Sequence, residues 1–364
     1  MEQAGLHIVV CPRAAELNAE DRELMRRLRP VGIHLRVRNF VPDVPAPEWL
    51  EALTALLKDC RELSGRPRQL VVIDHEGGRV HRLPAPFTHF PWAVQWADRA
   101  EAVARAMAVE LRALGVNLLL GPVADVASNP ENPVIGPRAF SSSAAECARI
   151  TPRFVSVAQS LGLACCLKHF PGHGDTHQDS HACLPRVDHA FERLRAIELP
   201  PFEAGIAAGC RSVMSAHLVN PELDPGCPAT LSRKTLNGLL RETLGFSGII
   251  FSDDMEMAAI TGLPTGTPEL EALAAGVDLL LYNHHPERAL AAADAIDRAR
   301  AEGRLDLKLE RASAARIQTL LESLPAPGPS VLPSMSDLEL NHALARECAH
   351  AMPLDLSGSG FEAL

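Results

Sequence analysis

No apolar run in the 364-residue chain approaches the roughly 18 residues that a membrane-spanning helix needs. No Cys-x-x-Cys pair occurs among the nine cysteines, and Cys165 and Cys166 are adjacent inside an apolar run. They read as buried thiols, not as a disulfide framework or a zinc knuckle. No cluster of lysines and arginines stands out, and 35 basic against 45 acidic side chains leave a formal net charge of −10. Nucleic acid and anionic membrane are therefore excluded as main partners. The first residues carry Glu2 and a short apolar stretch, Leu6–Cys11, before Pro12 and Arg13. That is too short and too acidic for a signal peptide, so a soluble cytoplasmic protein is expected.

What is present points to a large core. Hydrophobic residues make up 47% of the chain, and 29 prolines and 24 glycines mark many loop junctions. Short apolar runs recur at Leu6–Val10, Val31–Leu35, Gln69–Asp74, Val116–Val123, Leu163–His169, Ser212–His217, Gly248–Asp254 and Val277–Asn283. Runs of that length suit strands buried on both faces. Between them lie helical patterns, among them Asn18–Leu28, Trp49–Leu63, Ala97–Leu114, Ala144–Leu161, Glu192–Ala208, Ser232–Leu244 and Pro286–Glu302. Gly115 and Gly162 follow two of these as C-terminal glycines. Eight strands alternating with about eight helices predict an α/β fold, a (β/α)8 TIM barrel over residues 1–324. A doubly wound open sheet is the alternative, and no G-x-G-x-x-G follows the first strand to support it. Residues 325–364 read as a proline-rich linker and one helix, too little for a second domain.

In such a barrel the site lies at the C-terminal ends of the strands, and polar residues collect there. The third run ends in Asp74-His75-Glu76-Gly77-Gly78-Arg79, with Arg82 close behind. Asp125 and Arg138 follow the fourth, and Lys168-His169 closes the fifth. His217 ends the sixth, Ser252-Asp253-Asp254 the seventh, and Asn283-His284-His285 the eighth. A polar pocket accounts for this better than scattered surface.

The segment from Lys168 to His181 admits two chemical readings. His169, His173, His177 and His181 recur every four residues, a metal-ligand spacing on a helix, but Pro171, Gly172 and Gly174 argue against a helix there. Asp179 and His181, two residues apart in extended backbone, place both side chains on one side. The carboxylate can then orient the imidazole as an acid/base. A nucleophile would come from Asp253 or Asp254, of which alternation allows at most one to face the pocket. The other would cap the following turn or bind backbone amides.

These motifs resemble glycoside hydrolase family 3, in particular its bacterial single-domain β-N-acetylglucosaminidases of cell-wall recycling. The resemblance is carried by Arg38–Asn39, by D-x-E-G-G-R-V at Asp74–Val80, and by N-P-x-N-P-V-I-G-x-R at Asn129–Arg138. K-H-F-P-G-H-G-D-T at Lys168–Thr176, D-S-H at Asp179–His181, and G-F-x-G-I-I-F-S-D-D-M at Gly245–Met255 complete it. It implies Asp253 as nucleophile, His181 as general acid/base and Asp179 as its partner. Asp74, Arg82, Arg138, Lys168 and His169 match sugar-binding positions, and His217 and Met255 lie on matching segments. It further implies a retaining hydrolase of terminal β-linked N-acetylglucosamine in peptidoglycan-derived fragments, through a glycosyl-aspartate intermediate. A small carbohydrate is the expected substrate of a monomer, with no metal and no cofactor.

In two-domain relatives the acid/base carboxylate lies on a second domain, and here the D-S-H dyad within the barrel is expected to replace it. Gly172 and Gly174 are expected to hinge that loop. The chain departs from the pattern at Arg36, where the family usually has an apolar or aromatic residue, and at Cys11–Leu17. A phosphorolytic enzyme of the same family is the near rival. A metal-dependent barrel hydrolase is the rival from another class, although no early H-x-H motif is present, and a non-enzymatic sugar-binding barrel is the third.

Overall fold

Eight runs of β-branched and aliphatic residues become eight parallel strands: β1 Ile8–Val10, β2 Gly32–Leu35, β3 Leu70–Ile73, β4 Leu118–Leu119, β5 Ala164–Phe170, β6 Ser212–Ser215, β7 Ile249–Asp254 and β8 Leu279–Tyr282. They pair in chain order, and β8 closes on β1. The protein is a (β/α)8 barrel followed by a C-terminal helix, and the computed structural model describes residues 4–41, 43–178, 183–264 and 266–350.

Strand alternation sorts the core into two parts. Val9, Leu70, Val72, Leu118, Ala164, Cys166, Met214, Ile249, Phe251, Leu279 and Leu281 fill the barrel interior. Their strand neighbours, such as Ile33, Leu35, Val71, Ile73, Cys165, Leu167 and Leu280, pack outward on the helices. Space inside is tight. A Cβ on Gly32 would lie 2.9 Å from Val9 Cγ2. The helix Leu307–Ser323 closes the end away from the site, inserting Ile317, Leu320 and Leu321 against the interior. Each such buried aliphatic side chain contributes about 1.5–3 kcal/mol.

The helices follow most of the local signals. Asn18 caps Ala19–Leu28 by accepting the Asp21 N–H at 2.9 Å. The pattern over Glu192–Ala208 is two helices, Phe191–Ile197 and Pro200–Ala207, because Pro200 has no N–H to continue the first. Lys234–Thr243 is a π-helical segment, which periodicity does not reveal. After the proline-rich stretch, Met335–His350 forms a helix docked through Asn341 on Glu110 and His342 on the Pro86 carbonyl. Among the described residues no helix is long and apolar enough to cross a membrane.

Two strands carry an extra residue at the site end. Leu167 pairs with Val213 but Phe170 with Ser215, so three steps on β5 oppose two on β6. Phe251 pairs with Leu279 and Asp254 with Leu281 in the same way on β7. Such bulges re-aim side chains at barrel rims.

Candidate active site

Beyond four of the apolar pairs inside the barrel, the next in-phase residue is polar. Leu70 and Val72 lead to Asp74, Ala164 and Cys166 to Lys168, Ile249 and Phe251 to Asp253, and Leu279 and Leu281 to Asn283. These four, with Arg36, Glu76, Arg79, Arg82, Arg138, His169, His173, Asp254 and His284, line a cavity of about 440 Å³.

Its floor is a network of opposite charges. Lys168 Nζ lies 2.8 Å from Asp74 Oδ1 and 2.6 Å from Glu76 Oε1. Arg138 grips Glu76 with two bonds of 2.8 Å, from Nε to Oε2 and from Nη2 to Oε1. His34 Nε2 approaches Asp74 Oδ2 at 3.2 Å. Burial alone would raise both carboxyls. Lys168, His34 and Arg82 instead hold Asp74 well below the usual carboxylate range, and Arg138 and Lys168 do the same for Glu76. Lys168 is raised in turn, its burial outweighed by the two carboxylates. Arg138 and Lys168 are thus charge-matched by Glu76 and Asp74 and do not present free positive charge to a ligand. Their fixed donors and acceptors suit hydroxyl groups better.

The wall formed by β5 and its loop is set by Asp125. Its carboxylate accepts His169 N–H at 3.1 Å, His173 N–H at 2.7 Å, and faces His169 Nδ1 at 2.7 Å. Burial pushes His173 down to about 4, with His169 adding to the fall, so it is neutral near pH 7. Asn132 donates to the His173 carbonyl at 2.9 Å and Asn129 to the Thr176 carbonyl at 3.1 Å. The two asparagines of the N-P-x-N-P run therefore hold the K-H-F-P-G-H-G-D-T loop. His169, His173 and His177 turn Nδ1 toward three different partners, Asp125, Thr176 and Asn129. Among the described residues no group of three or more His, Cys, Asp or Glu side chains could hold a metal ion.

Gly172 and Gly174, expected as hinges, have a packing reason to be glycine. A Cβ on Gly174 would sit 1.7 Å from the Val126 carbonyl oxygen, and one on Gly172 2.6 Å from Glu198 Cβ. Downstream of them Asp175 pairs with Arg193 at 2.8 Å and with His189. Asp179 and His181 lie outside the described residues.

On β7 the expectation that only one aspartate faces the cavity is corrected: Asp253 and Asp254 both line it. The bulge opposite β8 breaks the alternation between them. Asp253 Oδ1 accepts the Asp254 N–H at 2.8 Å, and Asp254 Oδ1 accepts the Glu256 N–H at 3.0 Å. His217 is fully buried beneath, its Nε2 donating to the Asp254 carbonyl at 3.0 Å and its Nδ1 meeting the Thr230 hydroxyl at 2.8 Å. Met255 is buried in the outer core, away from the cavity.

The family model described as the glycosyl hydrolase family 3 N terminal domain matches residues 6–320. The chain belongs to glycosyl hydrolase family 3. A curated relative, the beta-hexosaminidase of Thioalkalivibrio sulfidiphilus, is 39% identical over 293 residues, covering 77% of this chain and 81% of that protein. Among solved structures, a glycoside hydrolase family 3 beta-N-acetylglucosaminidase from Paenibacillus superposes with a TM-score of 0.85 at 34% identity, covering 95% of this chain and 68% of that one. NagZ from Neisseria gonorrhoeae in complex with N-trifluoroacetyl-D-glucosamine gives 0.78 at 28% identity, covering 94% and 98%. This family 3 chain is a glycoside hydrolase.

Of the residues in the family 3 cavity or its support, His34 and Glu256 were not singled out for the site from sequence, and Glu76 and Asn283 were named only as polar residues at strand ends. His34 and Asn283 show as polar residues in phase with the strand interior. Glu76 sits inside its glycine-rich motif without a distinguishing signal. Glu256 accepts the Asn283 N–H at 2.8 Å, the His284 N–H at 2.6 Å and the His285 N–H at 3.0 Å, which only the folded loop reveals.

The second aspartate gives a test of the site's electrostatics. Burial raises Asp254 to about 6, and the charges of Glu256 and Asp253 add to the rise. An acid with a raised folded pKa lowers stability as pH climbs from the unfolded value, about 4, through 6. Asp254→Asn should therefore be more stable than wild type at pH 8 by up to about 2–3 kcal/mol. The gain should vanish at pH 4. Urea titrations at the two pH values read it, and a pH-independent difference would refute the assignment.

Proposed function

We propose that this family 3 hydrolase is an exo-acting, retaining β-N-acetylglucosaminidase that removes terminal β-linked N-acetylglucosamine from peptidoglycan-derived fragments. The observation that carries the reading is the position of Asp253, in phase with the barrel interior and facing a floor of buried donors and acceptors. The names of the relatives support the sugar. In this reading Asp74, Arg138, Lys168 and His169 orient the terminal sugar by its hydroxyls, with Arg82, whose buried Nε has no partner among the described residues, as a further donor.

Asp253 attacks the anomeric carbon and forms the glycosyl ester. His181, oriented by Asp179, gives a proton to the departing oxygen. Water then loses a proton to His181, attacks the same carbon and releases Asp253 and the sugar with its configuration retained. A histidine serves near neutral pH with less perturbation than a carboxylic acid needs. The same reading places the enzyme in the cytoplasm.

The test is hydrolysis of a chromogenic β-N-acetylglucosaminide, with the first-formed anomer followed by NMR. Release of the β-anomer, unchanged by chelator, is expected. An inactive wild type or an α-anomer would defeat the reading. In phosphate buffer free sugar is expected, whereas a sugar phosphate would make the enzyme a phosphorylase.

A further inference from the structure

The cavity has two layers that differ in charge pairing. In the lower one, Lys168, Glu76 and Arg138 have side chains 3%, 4% and 10% exposed, and every charge is matched. The upper layer contains Arg36. Alternation on β2 directs His34 inward onto Asp74, and Arg36, two residues on, follows the same direction about 6–7 Å nearer the mouth. Two other arginines beside β1 and β2 are engaged, whereas Arg82 after β3 also keeps an Nε unpartnered among the described residues in the cavity lining. Arg38 donates to the Pro12 and Asn283 carbonyls, and Arg13 pairs with Asp21 and Glu287. The Arg36 guanidinium has no hydrogen-bond or ion-pair partner among the described residues, although it is half-buried in the cavity wall.

His284 completes this corner. Glu256 fixes its backbone N–H, its ring lies 3.5 Å from Asp254 Oδ2, and its side chain is 51% exposed. Burial and the Arg36 charge lower its pKa, so at pH 7 it is a neutral hydrogen-bonding group beside a fixed cation. An unpaired arginine at the mouth of a cavity, on a chain with net charge −10, is a local inversion of sign. A planar guanidinium there matches a carboxylate bidentately.

A terminal sugar seated on the buried floor directs its leaving group toward the mouth. Resting on the function proposed above, we propose that Arg36, assisted by His284, determines specificity on the leaving-group side by binding a carboxylate carried by the group to which the sugar is linked.

Two substrates test this: N-acetylglucosamine β-linked to O4 of N-acetylmuramic acid, with the lactyl group as the free acid or as its primary amide. For wild type, kcat/KM should favour the acid by roughly tenfold, the scale of one charge-assisted contact. Arg36→Gln should bring the ratio near one, Arg36→Lys should recover part of it, and Arg36→Glu should reverse it. Equal wild-type rates on acid and amide, or a ratio unchanged in Arg36→Gln, would overturn the assignment while leaving the hydrolase reading intact. Failure to cleave either disaccharide or the chromogenic glycoside would overturn both. Formation of a sugar phosphate from inorganic phosphate, lost in Arg36→Gln, would also overturn it, since the arginine would then serve the attacking anion.

Discussion

Asp253→Ala should lower kcat on a chromogenic β-N-acetylglucosaminide by about 10⁴-fold or more, the scale seen when a covalent nucleophile is removed. The folded state should survive. Asp253 is half-buried at the cavity wall, and its loss removes one acceptor for the Asp254 N–H, worth about 1 kcal/mol. Asp253→Asn keeps that acceptor and removes only the charge of the proposed nucleophile, so equal inactivity of both variants separates chemistry from folding. Azide should rescue the alanine variant. With the carboxylate gone, the anion can attack the anomeric carbon directly, and the product should be the α-glycosyl azide. Circular dichroism melts of both variants close to wild type, with kcat reduced, are the expected pattern. More than a tenth of wild-type activity in Asp253→Ala would remove Asp253 from the mechanism.

Lys168→Ala should be the most destabilising single change at the floor. Lys168 neutralises Asp74 at 2.8 Å and Glu76 at 2.6 Å, with its own side chain 3% exposed. Without it two carboxylates share Arg138 and His34 in a poorly hydrated site. Breaking a buried ion pair by removing one partner costs about 3–5 kcal/mol. The pH dependence follows from the depressed carboxyls, Asp74 and Glu76. Their contribution is complete above the unfolded carboxylate pKa, about 4, and is lost as pH falls through the lower folded values. The gap between wild type and Lys168→Ala should therefore be full at pH 7 and narrow in acid. Lys168→Met, which keeps the aliphatic stem, should be nearly as damaging at pH 7, because the missing element is charge and not volume. A Lys168→Met variant as stable as wild type at pH 7 would show that the carboxyls are stabilised in some other way.

Much of the site was legible because a barrel strand reports direction through parity. In Leu70-Val71-Val72-Ile73-Asp74 and Ile249-Ile250-Phe251-Ser252-Asp253, the polar terminus falls on the same face as the interior apolar residues. Parity alone misleads elsewhere. It assigns Asp254 to the outer face, but the bulge against β8 brings it to the cavity. Position within a run can mislead as well. Asp278, an equally prominent carboxylate in the eighth run, lies at its start, where Arg241 and Arg316 bind it at 2.7 and 2.6 Å at the opposite end of the barrel.

The repeating pattern of short buried runs and amphipathic helices by itself determined an α/β fold and favoured a barrel over an open sheet, and the pairing of β8 with β1 decided closure. The parity of the runs determined which side chains point inward at their open ends, Asp254 beyond the β7 bulge excepted. These are local properties, since a side chain's direction depends on its own backbone and a helix face on residues three or four apart. Which inward residues meet was decided only when the barrel closed. Lys168 on β5 reaches Asp74 and Glu76 beyond β3, and Arg138 from the loop after β4 reaches Glu76, 62 positions away in the chain. That closure neutralises the floor and leaves Arg36 without a partner among the described residues. A charge acquires its state from the groups that share its low-dielectric surroundings, and those come from strands distant in sequence.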